Sequence, residues 1–321
     1  MKSMKDLVVF GDVNLDIILS DMDTLPALGH EIEARRCVVK PGGSAANVSM
    51  MLALNGHPVR FYGEVGQDQA GSLVREGLRM YGLNVDGVHV SDRGSTGITV
   101  SLTYPRDRMY ITYPGTTSTT ELQHAKHAKH AKYGKHGKHQ ILQGDGHLHL
   151  ASFFLLRGLQ KQVGALLRNA RAAGMSVSLD PGGDPTDNWD ISDLEDSLQF
   201  IDVLMPNADE IRGLTGLRNL EKALAAFPES VQCIVVKAGS EGAIVRYRGE
   251  IERHGGFKVD VQDTTCAGDC FDAGFLHGWL RGEDLGRCVR WANLFGAQAV
   301  SVLGLPDQEI DDFIRERELQ V

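Results

Sequence analysis

The sequence predicts an α/β protein: a doubly wound, mostly parallel sheet with helices on both faces and a small separate β-sheet. Three observations carry that expectation. Short β-type runs of four or five residues alternate with amphipathic stretches of helical spacing, the pattern of helices packed on a parallel sheet. Two strand-rich segments break the alternation, with no helix between their arms. Small and glycine-rich stretches follow several of the runs, and in such folds ligands sit beyond the carboxyl ends of the strands.

In chain order the β-type runs are LVVF (7–10), VRFYG (59–63), HLHLA (147–151), SVSLD (176–180), DVLMP (202–206), CIVVK (233–237) and AIVRY (243–247). The helical stretches SAANVSMMLALNG (44–56), AGSLVREGLRMYG (70–82) and RGLQKQVGALLRNARAAG (157–174) lie between them. HEIEARRCVVKP (30–41) and TGITVSLTYPRDRMYITYP (96–114) supply the small sheet. Pro105-Arg106-Asp107 separates two β-rich arms and predicts a hairpin. Such a sheet is either a flap over a ligand or a plain edge extension. Residues 1–29, 42–95 and 115–321 therefore form the α/β core, and 30–41 with 96–114 form the small sheet. HAKHAKHAKYGKHGKHQ (124–140) is a low-complexity insertion within the core, and seven of the chain's twelve histidines fall between 124 and 149. His124, His127 and His130 fall roughly along one helical face, which permits divalent metal binding. A solvated insertion is the simpler expectation.

Composition narrows the class of function. The chain has 321 residues, 42% hydrophobic and 23% charged, with a net charge of -9. That balance argues against nucleic acid or an anionic membrane as principal partner. No apolar run approaches the roughly 20 residues of a membrane span, and the apolar stretch before Gly11 is too short for a secretory signal. Five cysteines without a CxxC pair read as free thiols in a reducing compartment, hence a cytoplasmic protein. Cys266 and Cys270, four apart, permit metal ligation, although two small apolar side chains are the plainer account.

The chemistry concentrates in DTTCAGDCF (263–271). GxGxxG and GxxxxGK[ST] are absent, so the dinucleotide and P-loop fingerprints do not apply. Small polar residues instead run into an apolar helical pattern, with Ala267, Gly268 and Asp269 at the helix start. The first amides of a helix lack internal partners and its dipole favours an anion, so this junction is either an anion site with a carboxylate beside it or an ordinary helix cap.

Taken together, GDVNLDIIL (11–19), PGGSAANVSMMLALNG (41–56), GEVGQDQAG (63–71), NADE (207–210), VKAGSEGA (236–243) and DTTCAGDCF resemble the ribokinase-like (PfkB) family of carbohydrate and nucleoside kinases, over nearly the whole chain. The resemblance implies a three-layer α/β domain with a β lid, and ATP-dependent phosphorylation of a hydroxymethyl group on a small sugar or sugar-like acceptor. By the same resemblance Asp269 is the general base, and the amides of Cys266, Ala267 and Gly268 form an anion hole for the transferring phosphoryl group. Asn14 and Asp16 hold acceptor hydroxyls, and Gly42, Gly43 and Asn47 form the substrate loop. Asn207, Lys237, Gly239 and Gly242 lie on the nucleotide side, with Glu210 near magnesium through water. NADE is equally explained as a helix start with an Asn cap and Glu at the third position, and Lys237 either approaches phosphate or lies at the surface.

ATP and Mg²⁺ are the implied cofactors; a monovalent cation and a homodimer formed through the lid are also compatible with the family. Two departures stand out. Cys266 replaces the usual glycine, and Asp180-Pro181-Gly182 lacks the asparagine often found in sugar kinases, which leaves the phosphate-side contacts there open. The rivals are a nucleoside kinase, with Tyr104, Tyr110 and Tyr113 as walls for a base, and a catalytically silent sugar or nucleotide sensor.

Overall fold

In the computed structural model, which describes residues 5–104, 108–125, 142, 146–317 and 319, the alternating runs and helices become one large layered unit. Among the described residues nine strands form its sheet. From one edge to the other they are β13 (Glu250–His254), β12 (Ala243–Tyr247), β11 (Cys233–Lys237), β10 (Val203–Leu204), β9 (Ser176–Leu179), β8 (His147–Leu150), β1 (Leu7–Phe10), β4 (Val59–Gly66) and β5 (Val88–Ser91). All neighbours from β11 to β5 run parallel, and β12 and β13 add an antiparallel edge.

β1 shows why the sheet is layered on both sides. Leu7 and Val9 point into one core, Val8 and Phe10 into the other, and all four are buried. A strand covered on both faces reads as an unbroken apolar run. The first core is closed by α1 (Ser44–Leu54), α2 (Gln69–Met80), α8 (Ala267–Arg281), α9 (Leu285–Val300) and α10 (Ile310–Glu316). The second is closed by α3 (Leu122–Ala125), α4 (Arg157–Ala172), α5 (Ser192–Glu195), α6 (Ala208–Thr215) and α7 (Leu220–Ala226). No described helix is long and apolar enough to cross a membrane.

The small sheet stands apart, in the order β3 (Arg36–Gly42), β2 (Asn14–Ser20), β6 (Gly97–Thr103), β7 (Arg108–Tyr113). β6 and β7 pair antiparallel as the two arms of the expected hairpin, with Thr103 opposite Arg108. The turn at 105–107 lies outside the described residues, as does the His-rich segment from 126 to 140.

One strand departs from the expected division. β2, the central strand of the small sheet, comes from residues 14–20, which the sequence had assigned to the core. Residues 30–35 carry no strand at all. The cause is local. Gly11-Asp12-Val13 ends β1, and NLDIILS then alternates, with Asn14, Asp16 and Ile18 on one face and Leu15, Ile17 and Leu19 on the other. That period of two suits a half-covered strand, so the chain leaves the large sheet and starts another.

Candidate functional site

A cavity of about 220 Å³ opens between the inner face of the lid and the carboxyl end of β1. Four stretches line it: Asp12, Asn14 and Asp16 after β1; Gly43, Ser44 and Asn47 at the start of α1; Thr99, Tyr110, Thr112 and Tyr113 from the lid; and Thr265, Cys266 and Asp269 at the start of α8. Pro114, Thr117 and Leu155 complete the wall. Tyr104 is not among these residues, and its hydroxyl donates to the Thr24 carbonyl at 3.1 Å.

Gly43 has φ +98°, and a β-carbon there would lie 2.7 Å from the Asp12 carbonyl oxygen and 2.8 Å from Asn14 Oδ1. Glycine is therefore required for the loop to close on β2. A β-carbon on Gly42 would overlap the Asp16 carboxyl at 2.1 Å. Gly42 thus makes room for Asp16 instead of lining the cavity.

Three carboxyls share this small space. Asp12 is raised from 3.8 to about 6, foremost by burial and also by the charge of Asp269. Its two oxygens accept from the backbone amides of Ser44 (2.9 Å) and Ala45 (3.0 Å), which pins the first turn of α1. Asp16 is raised from 3.8 to about 8, by burial first and then by Asp269 and Asp12. Asn14 donates from Nδ2 to Asp16 Oδ1 (2.6 Å) and to Thr99 Oγ1 (2.9 Å). Its amide is therefore committed largely to orienting Asp16.

Asp269 sits in the first turn of α8, half-buried, with both oxygens engaged from α1. Ser44 Oγ donates to Oδ1 at 2.6 Å, and Asn47 Nδ2 donates to Oδ2 at 2.7 Å. Burial raises the pKa of this carboxyl while those two donors pull it back down. Cys266 is the N-cap of α8, in a left-handed conformation at φ 53°. A side chain there costs roughly 1 kcal/mol relative to glycine. Its thiol is pushed well upward, first by a hydrogen bond with Cys270 and then by burial, so it is an inert neighbour rather than a nucleophile.

Other residues singled out in the sequence lie outside the cavity. Ala267 and Gly268 follow Cys266 in the first turn of α8, and a β-carbon on Gly268 would sit 3.7 Å from Lys237 Nζ. Lys237 is neither at the surface nor free: its side chain is 10% exposed, and its ammonium bridges Asp180 (3.0 Å) and Asp272 (3.1 Å). Burial disfavours the Lys237 ammonium, but Asp180 and Asp272 outweigh it and raise its pKa; in return Lys237 outweighs the burial of Asp180 and lowers its pKa, while burial drives Asp272 upward. Asn207 and Glu210 form a reciprocal capping box on α6. Asn207 Oδ1 accepts from the amides of Asp209 and Glu210, and Glu210 Oε2 accepts from the Asn207 amide at 2.7 Å. Burial raises Glu210 to about 7. Gly239 and Gly242 form the turn between β11 and β12.

Among the described residues no group of three His, Cys, Asp or Glu could hold a metal ion. Both oxygens of Glu210 already accept from Asn207, so this residue suits Mg²⁺ only through the ion's waters.

Asp12, Ser44, Thr99 and Asp272 escaped the sequence reading. Asp12 and Ser44 stand inside the quoted GDVNLD and PGGSAAN stretches, and Asp272 lies one helical turn beyond Asp269. Those spacings were the available signal. Thr99 offered none, because its contact with Asn14 depends on how β2 pairs with β6.

A sequence profile described as pfkB family carbohydrate kinase matches residues 4–309. The ATP-dependent ribose-1-phosphate kinase of Halopiger xanaduensis is 31% identical over 287 residues, covering 89% of each chain. Ribokinase of Arabidopsis thaliana is 28% identical over 94% of this chain and 79% of its own. Its structure with ribose and ATP superposes with a TM-score of 0.77 at 25% identity, covering 99% and 100% of the two chains. Adenosine kinase of Sinorhizobium meliloti shares the fold, with a TM-score of 0.81 at 20% identity over 98% and 100%.

Proposed function

Given that this chain belongs to the pfkB family of carbohydrate kinases, we propose that the lid cavity holds a small sugar whose hydroxymethyl group is phosphorylated from ATP. The observation that carries this reading is the shared lining: the Asp269 carboxyl faces the same cavity as Asp16, Asn47 and the lid threonines. Asp269 takes the proton of the acceptor hydroxyl. The amides of Cys266, Ala267 and Gly268, at the positive end of α8, receive the charge that develops on the transferring phosphoryl group. Magnesium supplies charge neutralisation on the phosphate oxygens when bound, with Glu210 reaching it through water. Asp16 and Asn47 fix the sugar, while Asn14 orients Asp16.

Size supports a monosaccharide. About 220 Å³ falls below the ~300–1,000 Å³ typical of pockets for drug-sized ligands, and a nucleoside needs a base slot in addition to the sugar site. A second reading, an acceptor that already carries a phosphate, is favoured by Arg108. This lid guanidinium donates to the hydroxyl of Tyr110, which lines the cavity, and to Thr264 beside the anion hole. The name of the Halopiger relative points the same way.

Acceptor-dependent ADP release, measured over ribose, fructose, ribose 1-phosphate and adenosine, tests these readings. Preference for a free sugar supports the first and preference for the phosphorylated sugar the second. Turnover confined to adenosine overturns both. ADP release from no acceptor at all would favour a silent sensor.

A further inference from the structure

The base of the proposed reaction is not held by its own helix. Its two oxygens are engaged from α1, and the start of α1 is in turn fixed by a buried carboxylate from the end of β1. Asp12 takes the Ser44 amide at 2.9 Å and the Ala45 amide at 3.0 Å. Ser44 Oγ then donates to Asp269 Oδ1 at 2.6 Å, beside the Asn47 contact at 2.7 Å. One residue, Ser44, thus faces both carboxylates: its backbone donates to Asp12 and its side chain to Asp269.

We propose that Ser44 is a positioning residue for phosphoryl transfer: anchored by Asp12, its hydroxyl fixes the Asp269 carboxylate toward the acceptor and keeps it in the proton-accepting form. This rests on the reading of Asp269 as general base. A helix N-terminal hydroxyl suits the task, because it donates to the charged carboxylate and stabilises that form over the neutral acid. It also leaves each carboxylate oxygen with lone-pair capacity for the acceptor's proton.

The other ionisable groups around Asp269 are accounted for. Asp12 and Asp16 face it from the start of the chain, and Tyr110 belongs to the lid wall of the same cavity. The Cys266 thiol adjoins it on its own helix. Asp180, Lys237 and Glu210 act on it from the carboxyl ends of β9, β10 and β11, with Asp272 paired to Lys237. None of these groups is altered when Ser44 becomes alanine, and the Ser44 backbone amide still donates to Asp12, so the fold of α1 is retained.

The test is the pH dependence of acceptor-saturated turnover in Ser44→Ala, with Ser44→Thr as the conservative variant. Loss of a donor to the carboxylate raises its pKa, so the acid limb moves toward higher pH. Turnover then falls about tenfold at pH 6 and about threefold or less at pH 9, a tenfold change corresponding to one pKa unit. Ser44→Thr restores most of the acid-side loss. In an Asp269→Asn background the serine change adds nothing further, since the two groups act as a unit. A fall of equal size at every pH, or an unmoved acid limb, overturns the positioning role even when Asp269→Asn abolishes turnover. Near-normal turnover of Asp269→Asn alone overturns the base assignment instead, and so separates the two failures.

Discussion

Replacing the Asp269 carboxyl by an amide keeps its size and its ability to begin a helix but removes the proposed proton acceptor. General-base catalysis is worth roughly 10²–10⁴-fold, so Asp269→Asn should lower turnover at least about a hundredfold. Acceptor and ATP dissociation constants should move only a few-fold, as read by calorimetry against steady-state rates. Asp16 makes an opposite demand on stability. Its folded pKa, about 8, lies above the ordinary value of 3.8. The folded state therefore binds more protons than the unfolded one between those values, and stability drains away as pH rises through that window. Asp16→Asn removes the penalty and still accepts from Asn14. Its melting temperature without acceptor should rise about 2–5 °C at pH 8, while acceptor affinity drops more than about tenfold. A lower melting temperature would show that the carboxylate is satisfied in the empty pocket. At this scale the sequence showed which residue types gather, Asp269, Asn47 and Asp16 among them. It did not show their partners. The two donors to Asp269 lie more than 200 residues upstream, and Lys237 turned out to be an ion-paired core residue because Asp180 and Asp272 converge on it from other elements.

Helix α8 carries the proposed base at its start and a polar contact in its middle. His277 lies within it, and its Nδ1 meets Nε2 of His57, in the loop after α1, at 3.0 Å. Burial lowers His57 to about 4 and His277 to about 2. Both folded values lie below the ordinary 6.5, so the unfolded chain takes up protons first. The stability this pair supplies is fully present above pH 6.5 and is lost as pH falls from there toward 4. The buried carboxyls trend the other way, which makes the difference between variants the clean measurement. Between pH 7 and pH 5 the double variant His57→Leu, His277→Leu should lose less melting temperature than the parent, by about 2–4 °C. Equal losses would mean that the pair is already charged in the fold. Elements were legible where the pattern was strong, as in the amphipathic α2 and α4 and the unbroken apolar central strands. β2 was misplaced because it follows β1 after only three residues. β10 shrank to two residues, and β5 and β13 lacked flanking signals strong enough to separate them from loops.

Across the whole molecule the lid presents an outer face that the core does not cover. Val39, Ile17, Val100 and Ile111 lie opposite one another across its four strands, and Val39 and Ile111 are 51% and 65% exposed. An apolar row of this kind on a short sheet suits a second copy of the chain. If the chain pairs through the lid, the dimer should dissociate in Ile111→Asp, read by sedimentation velocity. Leu28→Asp, at a fully exposed position off the lid sheet, serves as the control and should remain a dimer. A monomeric parent protein would end that expectation. Overall layering was readable because alternation of runs and helices is a global pattern. The apolar row was not, because it exists only once the register of all four lid strands is set.

The cavity wall has a consequence for the order in which the protein comes into being. Its lining draws on residues 12–16, 43–47 and 99–117, and then on nothing but Leu155 until 265–269. Synthesis at ~5–20 residues per second delivers Asp269 roughly 10–30 s after the last lid residue. During that interval the nascent chain possesses every lid strand and the acceptor-side carboxyls, but neither α8 nor the donors' target. A small acceptor has no completed site to grip and cannot guide folding. The exposed edges of the lid must meanwhile be kept from pairing with other chains. Whatever shields the lid during that wait acts before the enzyme exists as an enzyme.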